Sequence, residues 1–179
     1  MGYKEVGTIS NVRFSNIIAT GEQGIVLIGS NESVLRDISF ENIQLAINYG
    51  KFTDINGGNF DLRPANDSKM ALFKHDIPAV YATKINNLTI RDFKVSWGPA
   101  LPGYFTNAVY CDHFNHLVID GLSASAAPDA AANEVMVSLH NGNDADISNL
   151  KPQPGKIKAN VAGNTKLVLK DNVTGMKMR

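Results

Sequence analysis

One phrase returns along this chain at a nearly constant interval, and any fold must place its copies equivalently. Val80 opens V-Y-A-T-K-I-N-N-L-T-I, and Val109 opens V-Y-C-D-H-F-N-H-L-V-I. Val137 opens V-S-L-H-N-G-N-D-A-D-I, and Ala159 opens A-N-V-A-G-N-T-K-L-V-L. In every copy the first, third, ninth and eleventh positions are apolar. Two shorter copies, I-S-N-V-R-F-S-N-I from Ile9 and L-R-D-I-S-F-E-N-I from Leu35, match the second half of the phrase. Equivalent positions lie 26 apart from Val12 to Ile38, 29 from Leu88 to Leu117, 28 from Leu117 to Ala145 and 22 from Ala145 to Leu167. Ile38 to Leu88 is 50, which is two turns or one turn with a long insertion.

A period in the twenties built from short alternating strands and tight turns suits a parallel β-helix. Each coil then buries its inward residues against the coils above and below, about 4.8 Å away. A leucine-rich horseshoe needs a denser leucine consensus, and a sandwich would not repeat one phrase in one register. Composition agrees: 19 Asn against 5 Glu favours turns and left-handed backbone over helix. The expectation is an all-β solenoid of about six coils in a single domain spanning 1–179. It carries an insertion at about 48–76, a loop at about 97–106 and a C-terminal coil at about 156–173. Val80, Val109, Val137, Cys111, Leu88, Leu117, Ile90, Ile119 and Ile147 should be buried.

The register also predicts columns. Asn16, Asn42, Asp92, Gly121, Asn149 and Asp171 share one repeat position, and all are residue types that tolerate positive φ. This column is read as a corner. A second column of Asn86, Asn115 and Asn143 is read as a corner whose stacked amides satisfy one another.

Several functions are disfavoured at once. Lys plus Arg and Asp plus Glu are 17 each, so there is no net charge to hold a nucleic-acid backbone or an anionic membrane surface. No apolar run approaches the ~20 residues that span a bilayer. The single cysteine, Cys111, excludes an intramolecular disulfide and any multi-cysteine zinc site, and its inward position makes it a small core residue. His113 and His116 straddle a corner, so no metal site is expected. No cofactor is implied.

The I-x-N-V-x-F-x-N-I phrase, the G-I-V-L-I-G-S strand at Gly24–Ser30, F-D-L-R-P at Phe60–Pro64 and H-D-I-P-A-V-Y-A at His75–Ala82 resemble the pectin-lyase-like right-handed parallel β-helices. More narrowly they resemble the C-terminal coils of bacterial glycoside hydrolase family 28, the polygalacturonases and their relatives. The likeness covers roughly Ile9 to Leu150. It implies a secreted or periplasmic setting, a polysaccharide or oligosaccharide partner (galacturonic-acid-containing among the candidates) and, for any activity, hydrolysis of pectic or related polysaccharides. The family's Asp-Asp, Gly-His-Gly and Arg-x-Lys motifs are absent from the sequence, so no catalytic residue carries over. They would lie on coils before Ile9. Met1 to Ser10 lack the basic start and apolar stretch of a signal peptide.

Candidates for chemistry come from strand alternation, which puts Tyr81 and Thr83, Tyr110 and Asp112, and Ser138 and His140 outside on successive coils. Tyr81 over Tyr110 would form an aromatic surface, and Asp112 should fall within about 5 Å of His140. Lys84, His113 and Asn141 follow at the strand ends. This is either a sugar platform flanked by polar groups, with Asp112 and His140 as catalytic candidates and His113 at its rim, or a set of cross-strand contacts that stabilise an exposed sheet. Arg63 either pairs with Asp61 in the insertion or meets an acidic sugar's carboxylate. Trp97 is either a lid over the core or a second sugar platform. Three roles remain: part of a polysaccharide-degrading enzyme, a carbohydrate-binding module, or a structural module. Too few residues precede Val12, Phe14 and Ile17 to cap them, so a homodimer through the N-terminal coil is expected unless the insertion folds over it.

Overall fold

The computed structural model describes residues 7–51, 53, 76–129, 136–153, 159–162, 167–170 and 176–178. Its elements are β-strands, and the chain is all-β. They are β1 (Ser10–Gly21), β2 (Ile25–Ile28), β3 (Leu35–Ile47), β4 (Val80–Trp97), β5 (Val109–Asp120), β6 (Ser123–Ala124), β7 (Val137–His140), β8 (Asn143–Ser148), β9 (Lys151–Pro152), β10 (Ala159–Ala162), β11 (Leu167–Lys170) and β12 (Met176–Met178). They join into one 12-stranded network. Among the described residues the strand pairings are parallel.

The pairing follows the repeat residue by residue. One column runs Val12, Ile38, Leu88, Leu117, Ala145, Leu167, and its neighbour runs Phe14, Phe40, Ile90, Ile119, Ile147, Leu169. The first half of the phrase builds a second ladder: Ile25, Val80, Val109, Val137, Ala159, Met176. Since β3 pairs directly with β4, the 50-residue step is one turn with an insertion. A third ladder links the end of β1 to β3, β4, β6 and β9.

Bends between these ladders require left-handed backbone. Asn16, Asn42, Asp92, Gly121 and Asn149 all have positive φ, as the first column requires; Asp171 lies outside the described residues. Asn42 Nδ2 donates to Asn16 Oδ1 at 2.8 Å, so adjacent corners are tied along the stack. The second expected corner is displaced. Asn86, Asn115 and Asn143 lie within the strands, and the positive φ values fall at Asn11, Asp37, Asn87, His116 and Asp144, one position on. A further bend uses Lys84, His113 and Asn141. Counting Asn alone misplaced the second corner, because Asp and His occupy it on some rungs. Its rungs are tied by mixed pairs: Asn87 Nδ2 donates to Asp37 Oδ1 at 2.6 Å, and His116 Nδ1 meets Asp144 Oδ2 at 2.7 Å.

The core runs between the ladders. Val80, Val109, Val137, Cys111, Leu88, Leu117, Ile90, Ile119 and Ile147 are all fully buried, with Phe93 and Phe105 the largest of the fully buried side chains among the described residues. Phe40 packs edge-on against Phe93, with centroids 6.1 Å apart. The exception is β1, whose other edge carries no partner among the described residues. Its core-column residues Phe14 and Ile17 are each 37% exposed, although Phe14 stacks on Phe40 at 5.0 Å.

Candidate functional site

The outward face of the first-half ladder carries the polar and aromatic residues singled out above. Val26, Tyr81, Tyr110, Ser138 and Asn160 share one register column, and Ile28, Thr83, Asp112, His140 and Ala162 share the next. Tyr81 and Tyr110 stack with centroids 5.4 Å apart and an interplanar angle of 7°. The His140 ring extends the stack, 4.8 Å from Tyr110. It reaches that column diagonally, two residues along from Ser138, whose Oγ lies 2.8 Å from His140 Nε2. The strand reading missed this because it considered only residues directly opposite. Diagonal neighbours are within reach of long and aromatic side chains.

One expectation needs correction. Tyr81 does not offer an open face: it is only 6% exposed and belongs with the core. Loss of hydration pushes its hydroxyl up to about 12, with the charges of Tyr110 and Asp112 adding to the effect. Tyr110 is half-buried, and desolvation, then Asp112, raise it too. Asp112 and His140 fall on neighbouring rungs, as expected. They are register partners, yet the Asp112 carboxylate is engaged at the corner: Oδ2 lies 2.9 Å from His113 Nδ1, and Oδ1 accepts from Asn141 Nδ2 at 2.8 Å. His140 turns instead to Tyr110 and Ser138. The left-handed backbone at His113 and Asn141 aims both side chains back at Asp112. Local geometry therefore splits the two catalytic candidates between a corner cluster and an aromatic stack.

Trp97 is half-buried, its indole N–H donating to the Ser125 carbonyl at 3.1 Å and its ring edge-on to Phe105. It closes β4, and its ring packs against the core. Arg63, Asp61 and His75 lie outside the described residues. Cys111 is buried, and desolvation pushes its thiol far above the ordinary range, so it is no nucleophile. Among the described residues no group of three or more His, Cys, Asp and Glu is arranged to hold a metal ion.

This face offers an aromatic edge at Tyr110 and His140 beside the carboxylate, imidazole and amide of Asp112, His113 and Asn141. The tyrosine shift itself is measurable. A phenol whose folded pKa lies above its unfolded value stabilises the fold fully below pH ~10 and loses that contribution as pH rises towards 12. Absorbance titration should show one tyrosine ionising last, near pH 12, and Tyr81→Phe should remove that step. A wild type whose tyrosines all ionise together near pH 10 would contradict the burial of Tyr81.

Comparison with protein-family models, curated proteins and solved structures returns no match for this chain.

Proposed function

We infer that the chain is a right-handed parallel β-helix and acts as a carbohydrate-associated module of the pectin-lyase-like kind, without sugar turnover of its own. The observation that carries this reading is the set of parallel ladders in constant repeat register, closed at corners by stacked Asn and Asp. Parallel crossovers are right-handed in nearly all proteins, which supports the hand. The sequence resemblance to the C-terminal coils of family 28 hydrolases supports a polysaccharide or oligosaccharide partner, galacturonate-containing chains first, and a secreted or periplasmic setting.

Sugar contact is assigned to Tyr110, His140, Asp112, His113 and Asn141. An aromatic ring edged by hydroxyl-binding groups is the usual composition of a saccharide subsite. Calorimetry with oligogalacturonides should show saturable binding that Tyr110→Ala weakens at least tenfold, with the β-rich circular dichroism spectrum retained. The same protein should release no reducing ends from polygalacturonate. Unaltered binding in Tyr110→Ala would move the site elsewhere. Release that Asp112→Asn abolishes would make this face an active site.

A second reading, assembly, is favoured by one specific observation. Among the described residues, the twelve-residue β1 strand has one edge without a strand partner, and its apolar residues Phe14, Ile17 and Ile18 are exposed. Long apolar edges are normally covered or blunted.

A further inference from the structure

We propose that a groove on the third ladder is a second saccharide contact, which takes the carboxylates of an acidic sugar chain lying along the stack. The inference rests on the carbohydrate reading above and adds a site separate from the Tyr110 face. The groove encloses about 310 Å³ and crosses four strands, β3, β4, β6 and β9. Gln44, Lys94, Ser123 and Lys151 line it, and they are consecutive members of one register column. Alternation turns them outward: Phe93 and Val95 flank Lys94, and Leu122 and Ala124 flank Ser123, all four fully buried.

This column differs from the corners in what it lacks. At the corners, a donor on one rung is tied to an acceptor on the next: Asn42 to Asn16, Asn87 to Asp37, Asn141 to Asp112 and Asn149 to Asp120. The groove column holds two ammonium groups, an amide and a hydroxyl, with no carboxylate of its own. Among the described residues, Gln44 and Lys94 have no hydrogen-bond or ion-pair partner. Ser123 Oγ accepts from Gln153 Nε2 at 3.4 Å, which leaves its own hydrogen to be donated. Lys151 Nζ lies 4.0 Å from Asp92 Oδ1, but both side chains are mostly exposed, and water screens such pairs heavily. The nearby Asp120 carboxylate is already engaged, since Asn149 Nδ2 and Ser148 Oγ both donate to its Oδ1.

Spacing indicates the class of ligand. Lys94 and Lys151 are two rungs apart, roughly 10 Å along the stack, with Ser123 midway. A compact anion reaches one ammonium group at a time. A linear uronide reaches both, because it carries a carboxylate on every sugar and hydroxyls between them. Charge-assisted hydrogen bonds to carboxylates are the stronger kind. The chain as a whole has no net charge, so a nucleic acid gains little beyond the same two contacts. Gly121 helps to open the groove: alone in the corner column of Asn42, Asp92 and Asn149 it has no side chain, and a Cβ there would lie 2.8 Å from Asp92 Oδ1.

Titration of isotope-labelled protein with oligogalacturonides, read at individual backbone amides by nuclear magnetic resonance, tests the proposal. Ser123 and Lys151 should shift and saturate, and raised salt should weaken that binding severalfold, because exposed charges are screened. Lys94→Glu combined with Lys151→Glu should weaken it at least tenfold, and Lys94→Gln alone severalfold, with circular dichroism confirming each fold. Tyr110→Ala should leave the groove shifts unchanged. Galacturonate monomer and neutral galactose oligomers should bind the groove at least tenfold more weakly. Saturable shifts at Tyr110 with none at Ser123 would overturn the groove and leave the carbohydrate reading standing. Groove shifts that survive the double lysine variant, or that neutral oligomers produce equally, would overturn the role given to charge. A single-stranded DNA oligomer that shifts Ser123 as strongly as the uronide would overturn the saccharide class. Silence at both faces with every saccharide overturns the carbohydrate reading and this inference with it.

Discussion

Val109→Asp should leave the chain unfolded at room temperature. Val109 is fully buried in the apolar core, in register between the buried Val80 and Val137. A carboxylate there has no cation to pair with, and burying an unpaired charge costs several kcal/mol even after relaxation. A domain is stable by only about 5–15 kcal/mol in total, and this rung lies mid-stack, where both neighbouring interfaces would be lost together. Loss of the β-rich circular dichroism spectrum and of any cooperative thermal transition is the expected result. A folded variant with near-native melting would mean that position 109 reaches solvent.

The second large effect contrasts two phenylalanines. Phe93 is fully buried against Phe40, and Phe93→Ala should cost about 3–5 kcal/mol, the usual range for emptying a large aromatic site. Phe14 holds a core-column position on β1, the first described rung, but keeps 37% of its surface exposed. Phe14→Ala should therefore cost clearly less in dilute, monomeric protein, because much of its surface never leaves water. Urea denaturation of both variants reads the difference. Equal losses would show that something covers the β1 layer.

Much of the stacking was legible because inward residues in a repeated strand must be apolar in every copy. The pairing of Val12 with Ile38 and of Leu88 with Leu117 follows from that constraint alone. The corner at Asn16, Asn42 and Asp92 was legible for a similar reason, since left-handed backbone excludes most residue types. The corner at Asn87 and His116 was not, because side-chain pairing across rungs compensates there for less permissive residues. The outward face was legible only in part. Alternation places Tyr81, Tyr110, Asp112 and His140 on one side, but it says nothing of rotamers. The diagonal stacking of His140 on Tyr110 and the turn of Asp112 to its corner depend on choices that register leaves free.

The central claim is that successive copies of the phrase are adjacent rungs, including the pair separated by the insertion. Ser39, Thr89 and Val118 mark three consecutive rungs of one half-buried outward column. In a Cys111→Ser background, Ser39→Cys with Thr89→Cys should form a disulfide in air. Adjacent rungs are about 4.8 Å apart, inside the bridging range of roughly 4.4–6.8 Å. Ser39→Cys with Val118→Cys, two rungs apart, should remain reduced. A bridge in the second pair, or none in the first, would contradict the stacking order on which the account stands.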